Sequence, residues 1–238
     1  LLRFIKFYSG FFSFLIPLLV IADHAHNSSG GSGVNTSINE YYSGSFGVND
    51  INGNYDGGHG YFANGSLTVD SDAVIQGGKG ANFLFESVAA DGGDGLYIQS
   101  GEDSSNGPFT TTINGGFISA GAGGKTVLDL TPSVLSGKTG VGINYLWTGS
   151  VYDGVAGFNV LGGVITNGIN ITNPTNTYIN FNITSAAEVY DGIDKYGKGN
   201  IRIINHEVGT LKDIDIYGGS IIFSDILNLS TNENINLV

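Results

Sequence analysis

Along most of this chain the apolar positions alternate with polar ones over four to seven residues, and glycine then interrupts the pattern. In Tyr-Ile-Asn-Phe-Asn-Ile-Thr, residues 178 to 184, the side chains of Ile179, Phe181 and Ile183 fall on one side of an extended chain. Asn180, Asn182 and Thr184 fall on the other, so the pattern predicts a strand with one buried and one wet face. Beyond residue 22 no window holds apolar residues at the three-and-four spacing of a helix, and frequent glycine opposes helix further. The expected elements are therefore short strands, with Ile113, Ile179, Phe181, Ile183, Ile203, Ile214 and Ile216 facing inward.

Two glycine phrases recur between these strands. One is a strand end followed by Gly-Gly, as in residues 74 to 80, 112 to 118, 159 to 165 and 215 to 221, and in the last three Ile returns two residues after the pair. The other is Gly-Gly-x-Gly, at 57 to 60, 77 to 80 and 92 to 95. A hairpin meander calls for two-residue Asn-Gly or Asp-Gly turns between matched strands. Gly-Gly with immediate resumption instead bends the chain without reversing it, which suits a coil whose strands pass to a new sheet at each corner. The reading is an all-β, right-handed parallel β-helix over 43 to 238, with paired glycines as corners where φ is positive and a Cβ has little room.

Composition sharpens this. Glycine supplies 39 of 238 residues, while prolines number only 4 and no three-residue Gly period exists, which excludes collagen. The formal charge of −12 would repel a phosphate backbone, so nucleic acid is not expected as a partner. Cysteine is absent, which excludes a catalytic thiol, a disulfide framework and a cysteine-based zinc site. Methionine is also absent, and the strand-like ending Ile-Asn-Leu-Val leads to the expectation that the natural protein continues past Val238.

The first residues carry a different signal. Arg3 and Lys6 precede the apolar run 7 to 22, which has the order of a secretory signal with cleavage after Ala22. Its 16 residues, with Gly10 and Pro17 inside, are short for a bilayer span. Residues 23 to 42 are rich in Gly, Ser and Asn and read as a flexible linker. The expected location is secreted or at the cell surface.

The wording Ile-Asn-Gly-Gly-Phe-Ile-Ser-Ala-Gly-Ala-Gly-Gly (113 to 124) and Gly-Gly-Asp-Gly-Leu-Tyr-Ile (92 to 98) resembles the repeats of secreted β-helical surface proteins of the adhesin and autotransporter-passenger type. More loosely it is similar to the pectin-lyase-like superfamily. The resemblance implies a non-enzymatic adhesive or structural role outside the cell, with surface glycans or other extracellular proteins as partners. The alternative it leaves open is a carbohydrate-active β-helix, a polysaccharide lyase or glycoside hydrolase.

Candidate sites are few. Gly58-His59-Gly60 and Arg202-Ile203-Ile204 resemble fragments of polygalacturonase motifs, but the acidic elements that precede them in those enzymes are missing upstream of His59. Without two positioned carboxylates, inverting hydrolysis has no acid and base, and no catalytic residue or cofactor is assigned. Gly124-Lys125-Thr126 and Gly137-Lys138-Thr139 lack the earlier glycine of a phosphate loop. Asp50, Asn52, Asn54 and Asp56 place oxygen ligands at alternate positions, a calcium candidate without the closing glutamate of an EF-hand.

Six glycosylation sequons occur, at Asn27, Asn35, Asn64, Asn170, Asn182 and Asn228, a number close enough to chance in so Asn-, Ser- and Thr-rich a chain that it does not establish glycosylation. Tyr145 with Trp147, and Tyr152 with Tyr190, offer rings for sugar stacking or, equally, for a core.

Overall fold

In a computed structural model the described residues are 29–47, 49–50, 53–82, 89–103, 107–125, 136–149, 156–175, 177–206, 213–223 and 235–238. The signal segment lies outside them. All regular elements among them are strands, and nearly every pairing is parallel.

Register shows how the strands stack. Gly31 pairs with Tyr61, Tyr61 with Leu96, Leu96 with Ile143, and the series continues through Ile169, Ile193, Ile214 and Ile235. This is the first face. A second face runs from Ile38 through Val69, Ile113, Val160 and Ile183 to His206, with Ser220–Phe223 beyond it. Gly31–Ile38 and Tyr61–Val69 serve both faces, bending at Asn35 (φ 50°) and Gly65 (φ 99°). A third face stacks Tyr41–Ser43, Val74–Gln76, Phe117–Ser119, Gly163–Ile165 and Ala187–Val189. Each pass of the chain thus adds one rung to a strongly curled parallel sheet, a β-helix-like repeat fold.

Alternation puts every second residue inside. Ile113, Ile179, Phe181, Ile183, Ile203, Ile214 and Ile216 are all buried, as their sequence pattern predicts. Asn180 does point outward, yet it is 93% covered between its rung neighbours Gly157 and Arg202, so that side is not uniformly wet. The linker expectation is corrected from Gly31 onward. Gly31–Ile38 and Tyr41–Ser43 are the first rung, because parallel pairing to Tyr61–Val69 and Val74–Gln76 supplies the hydrogen bonds that a Gly/Ser/Asn composition cannot earn by itself.

The glycine phrases separate into two structures. Gly116, Gly163 and Gly219 have φ of 88°, 93° and 73° and are corners between faces, as expected. The Gly-Gly-x-Gly phrases are not corners, and neither is the pair Gly77-Gly78 read with the first phrase. None of these glycines has a positive φ. After the third face, each of the first three passes runs outward through a glycine-rich segment (44–47, 77–81, 120–124) and returns through another (55–60, 90–95, 137–142) to the first face.

The bonds between these six segments repeat every three residues. Gly44 and Gly47 donate to the carbonyls of Gln76 and Lys79, Gly57 and Gly60 to Asp91 and Asp94, Gly77 and Gly80 to Ser119 and Ala122, and Gly92 and Gly95 to Lys138 and Val141, all at 2.7 to 2.9 Å. Three residues per turn without bonds inside a segment is the polyproline II form, here built of glycine. The outgoing segments make one layer and the returning segments another. Two lines of bonds cross both, one from Gly140 to Gly121, Gly121 to Gly93, Gly93 to Gly78, Gly78 to Gly58 and Gly58 to Ser45, the other from Gly137 to Gly124, Gly124 to Ala90, Ala90 to Ala81 and Ala81 to Tyr55. We call this two-layered body the glycine rack. It explains why glycine is obligatory: a Cβ on Gly57, Gly78, Gly92 or Gly121 would overlap a neighbouring carbonyl oxygen.

Candidate functional site

The outward side of the first face is the most regular surface of the molecule. One column runs Ser32, Phe62, Tyr97, Asn144, Asn170, Asp194, Asp215, Asn236, each in register with the next. Parallel strands place these positions about 4.8 Å apart. Beside it stand Asn64, Gln99, Leu146, Thr172 and Tyr196 in the same registers. Neither column holds an exposed Lys or Arg.

Aromatic rings occupy the two ends of the strip. At one end Phe62 stacks on Tyr97 (centroids 5.7 Å) and Tyr97 on His59 (4.8 Å). At the other end Tyr196 stacks on Tyr217 (4.8 Å, 7° between planes). Rings stacked rung on rung cover one another's faces, so a ligand would meet ring edges, hydroxyls and the terminal faces. Carboxamides and carboxylates fill the middle. Asn144 donates to Asp94 Oδ2 at 2.9 Å, Asn236 donates to Asp215 Oδ1 at 2.8 Å, and the Tyr196 hydroxyl donates to Asp194 Oδ2 at 3.0 Å. Burial, with the Asp194 carboxylate, pushes the Tyr196 pKa up to about 12. Asp194 and Asp215 together raise that of Tyr217.

Of the sequence candidates, Asn64 and Asn170 stand in this strip and His59 stacks on its Tyr97, while the others lie elsewhere. His59 and Asp56 belong to the returning layer of the rack, where every third side chain satisfies an amide of the next segment. Asp56 Oδ1 accepts the N–H of Asp91 at 2.7 Å, and Asp91 Oδ1 accepts that of Lys138 at 2.6 Å. His59 Nδ1 accepts the N–H of Asp94 at 3.3 Å, and Asp94 Oδ1 accepts that of Val141 at 2.8 Å. The motif Asp-Gly-Gly-His/Asp-Gly is therefore a rack motif. His59 Nδ1 also lies 3.5 Å from Asp94 Oδ2. Arg202 is on the second face, its guanidinium 4.8 Å above the Tyr178 ring, and the topology does not bring it to His59.

Of the calcium candidates, Asp50 lies in a short antiparallel pair with Gly53, Asn54 pairs with Asn49, and Asn52 lies outside the described residues. No group of three or more His, Asp or Glu side chains placed to hold a metal occurs among the described residues. The amide of Lys138 is bonded to Asp91 inside the rack, and that of Lys125 to Asn82 at the ends of two outgoing segments. Tyr145 and Trp147 are core residues, 0% and 1% exposed, and do not meet a ligand at the surface. Tyr190 is exposed and its hydroxyl donates to Glu188, while Tyr152 lies outside the described residues.

Among the sequons, Asn64 is exposed at a bend, Asn170 lies within the outward column, Asn182 Oδ1 is buried, Asn35 Oδ1 accepts the Ser66 amide, and Asn27 and Asn228 are outside the described residues. No helix among the described residues is long and apolar enough to cross a membrane. The chain matches no protein-family model, no curated protein and no solved structure.

Proposed function

We propose that the chain is a secreted or surface-displayed, non-enzymatic module with an adhesive role, and that the outward strip of the first face meets an uncharged glycan. The supporting observation is the unbroken column Asn144, Asn170, Asp194, Asp215, Asn236 flanked by tyrosines, a line of hydrogen-bonding groups repeating at about the length of one sugar ring. Amide and carboxylate acceptors beside tyrosine edges suit hydroxyl-rich chains. The net charge of −12, with no exposed cation in the strip, opposes acidic polysaccharides.

The coil is proposed to be right-handed. Successive rungs are parallel strands of one sheet joined by crossovers, and such connections are right-handed in about 98% of cases. The rival reading, a carbohydrate-active enzyme, has His59 beside Asp94 in its favour, but both side chains are engaged in holding rack amides.

Immobilised neutral polysaccharides should retain the purified chain, and Asn170→Arg with Asp215→Arg should weaken retention at least about tenfold while the melting temperature stays within a few degrees. Retention unchanged by these substitutions would remove the strip from the reading. Cleavage of pectin or another polyuronate, lost in His59→Ala, would replace adhesion by catalysis.

A further inference from the structure

The interior of the third and fourth passes holds four polar atoms that no protein group satisfies: Ser100 Oγ, Thr111 Oγ1, Tyr145 OH and Trp147 Nε1. All four residues are at most 1% exposed. Register and ring stacking link the residues that carry them. Ser100 is in register with Trp147 on adjacent rungs of the first face, and Tyr145 points inward two residues before Trp147. Across the interior, Thr111 is in register with Phe158, whose ring stacks on Tyr145 with centroids 4.6 Å apart. Burial raises the Tyr145 pKa strongly, and hydrogen bonding with the Ser100 hydroxyl, which lies within reach of the phenol though not in a geometry that satisfies either, acts in the opposite direction.

The neighbouring rungs fill the corresponding inward places with apolar groups. Tyr145 is in register with Ile98 and Ile171, and Thr111 with Leu67 and Phe158. Four such atoms in one stretch of the interior would each carry a desolvation cost, and buried polar groups in native proteins are for the most part hydrogen-bonded. The indole N–H can only donate, whereas the three hydroxyls both donate and accept. A group that joins them must accept from the indole, donate to or accept from the hydroxyls, and fit between two rungs. Water does so, typically through about three bonds.

We infer that the solenoid encloses a resident water site between its third and fourth passes, bounded by Ser100, Thr111, Tyr145 and Trp147. The site marks the stretch from which the chain leaves the first face for the excursion containing the paired strands Glu102–Asp103 and Gly107–Pro108. It allows side chains of differing length in adjacent rungs to coexist without a dry gap.

The test uses the full chain and its single tryptophan. In a nitrogen-labelled sample one indole N–H resonance is present, and it should show a cross-peak to water that persists when surface exchange is slowed at low pH. Tyr145→Phe with Thr111→Val should remove that cross-peak while amide shifts in distant rungs stay in place, and Tyr145→Phe alone should weaken it. A crystal structure should show density within bonding distance of at least two of the four atoms. An indole N–H without a water cross-peak, together with a crystal structure in which the hydroxyls turn to bond one another, would overturn the inference.

Discussion

Lys195 occupies an inward position in the first face, between Ile171 and Ile216 in the same column, and is 0% exposed. Its ammonium is held by carbonyls at the corner that follows, donating to Tyr196 O at 3.0 Å, to Gly218 O at 2.7 Å and to Gly197 O. Burial lowers its pKa to about 8. The unfolded chain, with a lysine near 10.4, binds more protons between those values, so this residue's contribution to stability rises with pH through that window and is constant below it. The rise amounts to roughly 3 kcal/mol at most. Denaturant unfolding of wild type and Lys195→Met at several values between pH 7 and 10 should show the slope in the first and not in the second. The same side chain at an exposed position would give two parallel curves.

At the scale of the element, one residue type performs two tasks. At Gly116, Gly163 and Gly219 glycine supplies a positive φ, and at Gly57, Gly78, Gly92 and Gly121 it supplies absence of a Cβ between packed three-fold segments. The second task is the less forgiving, because the obstruction is backbone on both sides and cannot rotate away. Gly78→Ala would set its methyl against Ser45 O and disrupt bonds crossing both layers, at about 3 kcal/mol or more. Gly157→Ala is the control: the nearest obstacle is a Thr110 side chain at 3.1 Å, and its φ is not positive, so it should move stability by less than about 1 kcal/mol. Thermal melts of the two variants compare these directly. If Gly78→Ala melts with Gly157→Ala, the rack is not packed as described.

For the whole molecule, stability in a stacked array is a sum of rung and interface terms. The passes over 61 to 142 are tied twice, through the three faces and through the rack's lines of hydrogen bonds. The passes from Ile143 onward close with short corners, such as Asn167-Gly168 and Asp191-Gly192, both in the left-handed region. Opening should therefore start in the later rungs. Hydrogen exchange should be slowest in Tyr61–Val69, Leu96–Ser100 and the rack amides, and faster by at least about tenfold in Ile193–Tyr196 and Ile214–Ile216. Uniform protection along the chain would mean that the rack adds no independent support.

Much of this architecture was legible before any coordinates. Strand type, inward residues such as Ile113, Phe181 and Ile216, and the passage of the chain around corners follow from alternation and glycine chemistry, which are local properties. The fate of Gly-Gly-x-Gly was not legible as such. A positive-φ corner and a polyproline II segment draw on the same residue, and the difference lies in whether another glycine segment stands one residue's width away. The signal was nonetheless present: Gly57 and Gly60, Gly77 and Gly80, and Gly92 and Gly95 share a spacing of three. Only the tertiary structure decided that Gly31–Ile38 is a strand rather than linker, that Tyr145 and Trp147 are core rather than surface, and that His59 and Asp56 hold amides of the rack. Each of those outcomes depends on a partner 30 or more residues away or on the opposite face, and alternation along a chain carries no information about which rung lies next to it.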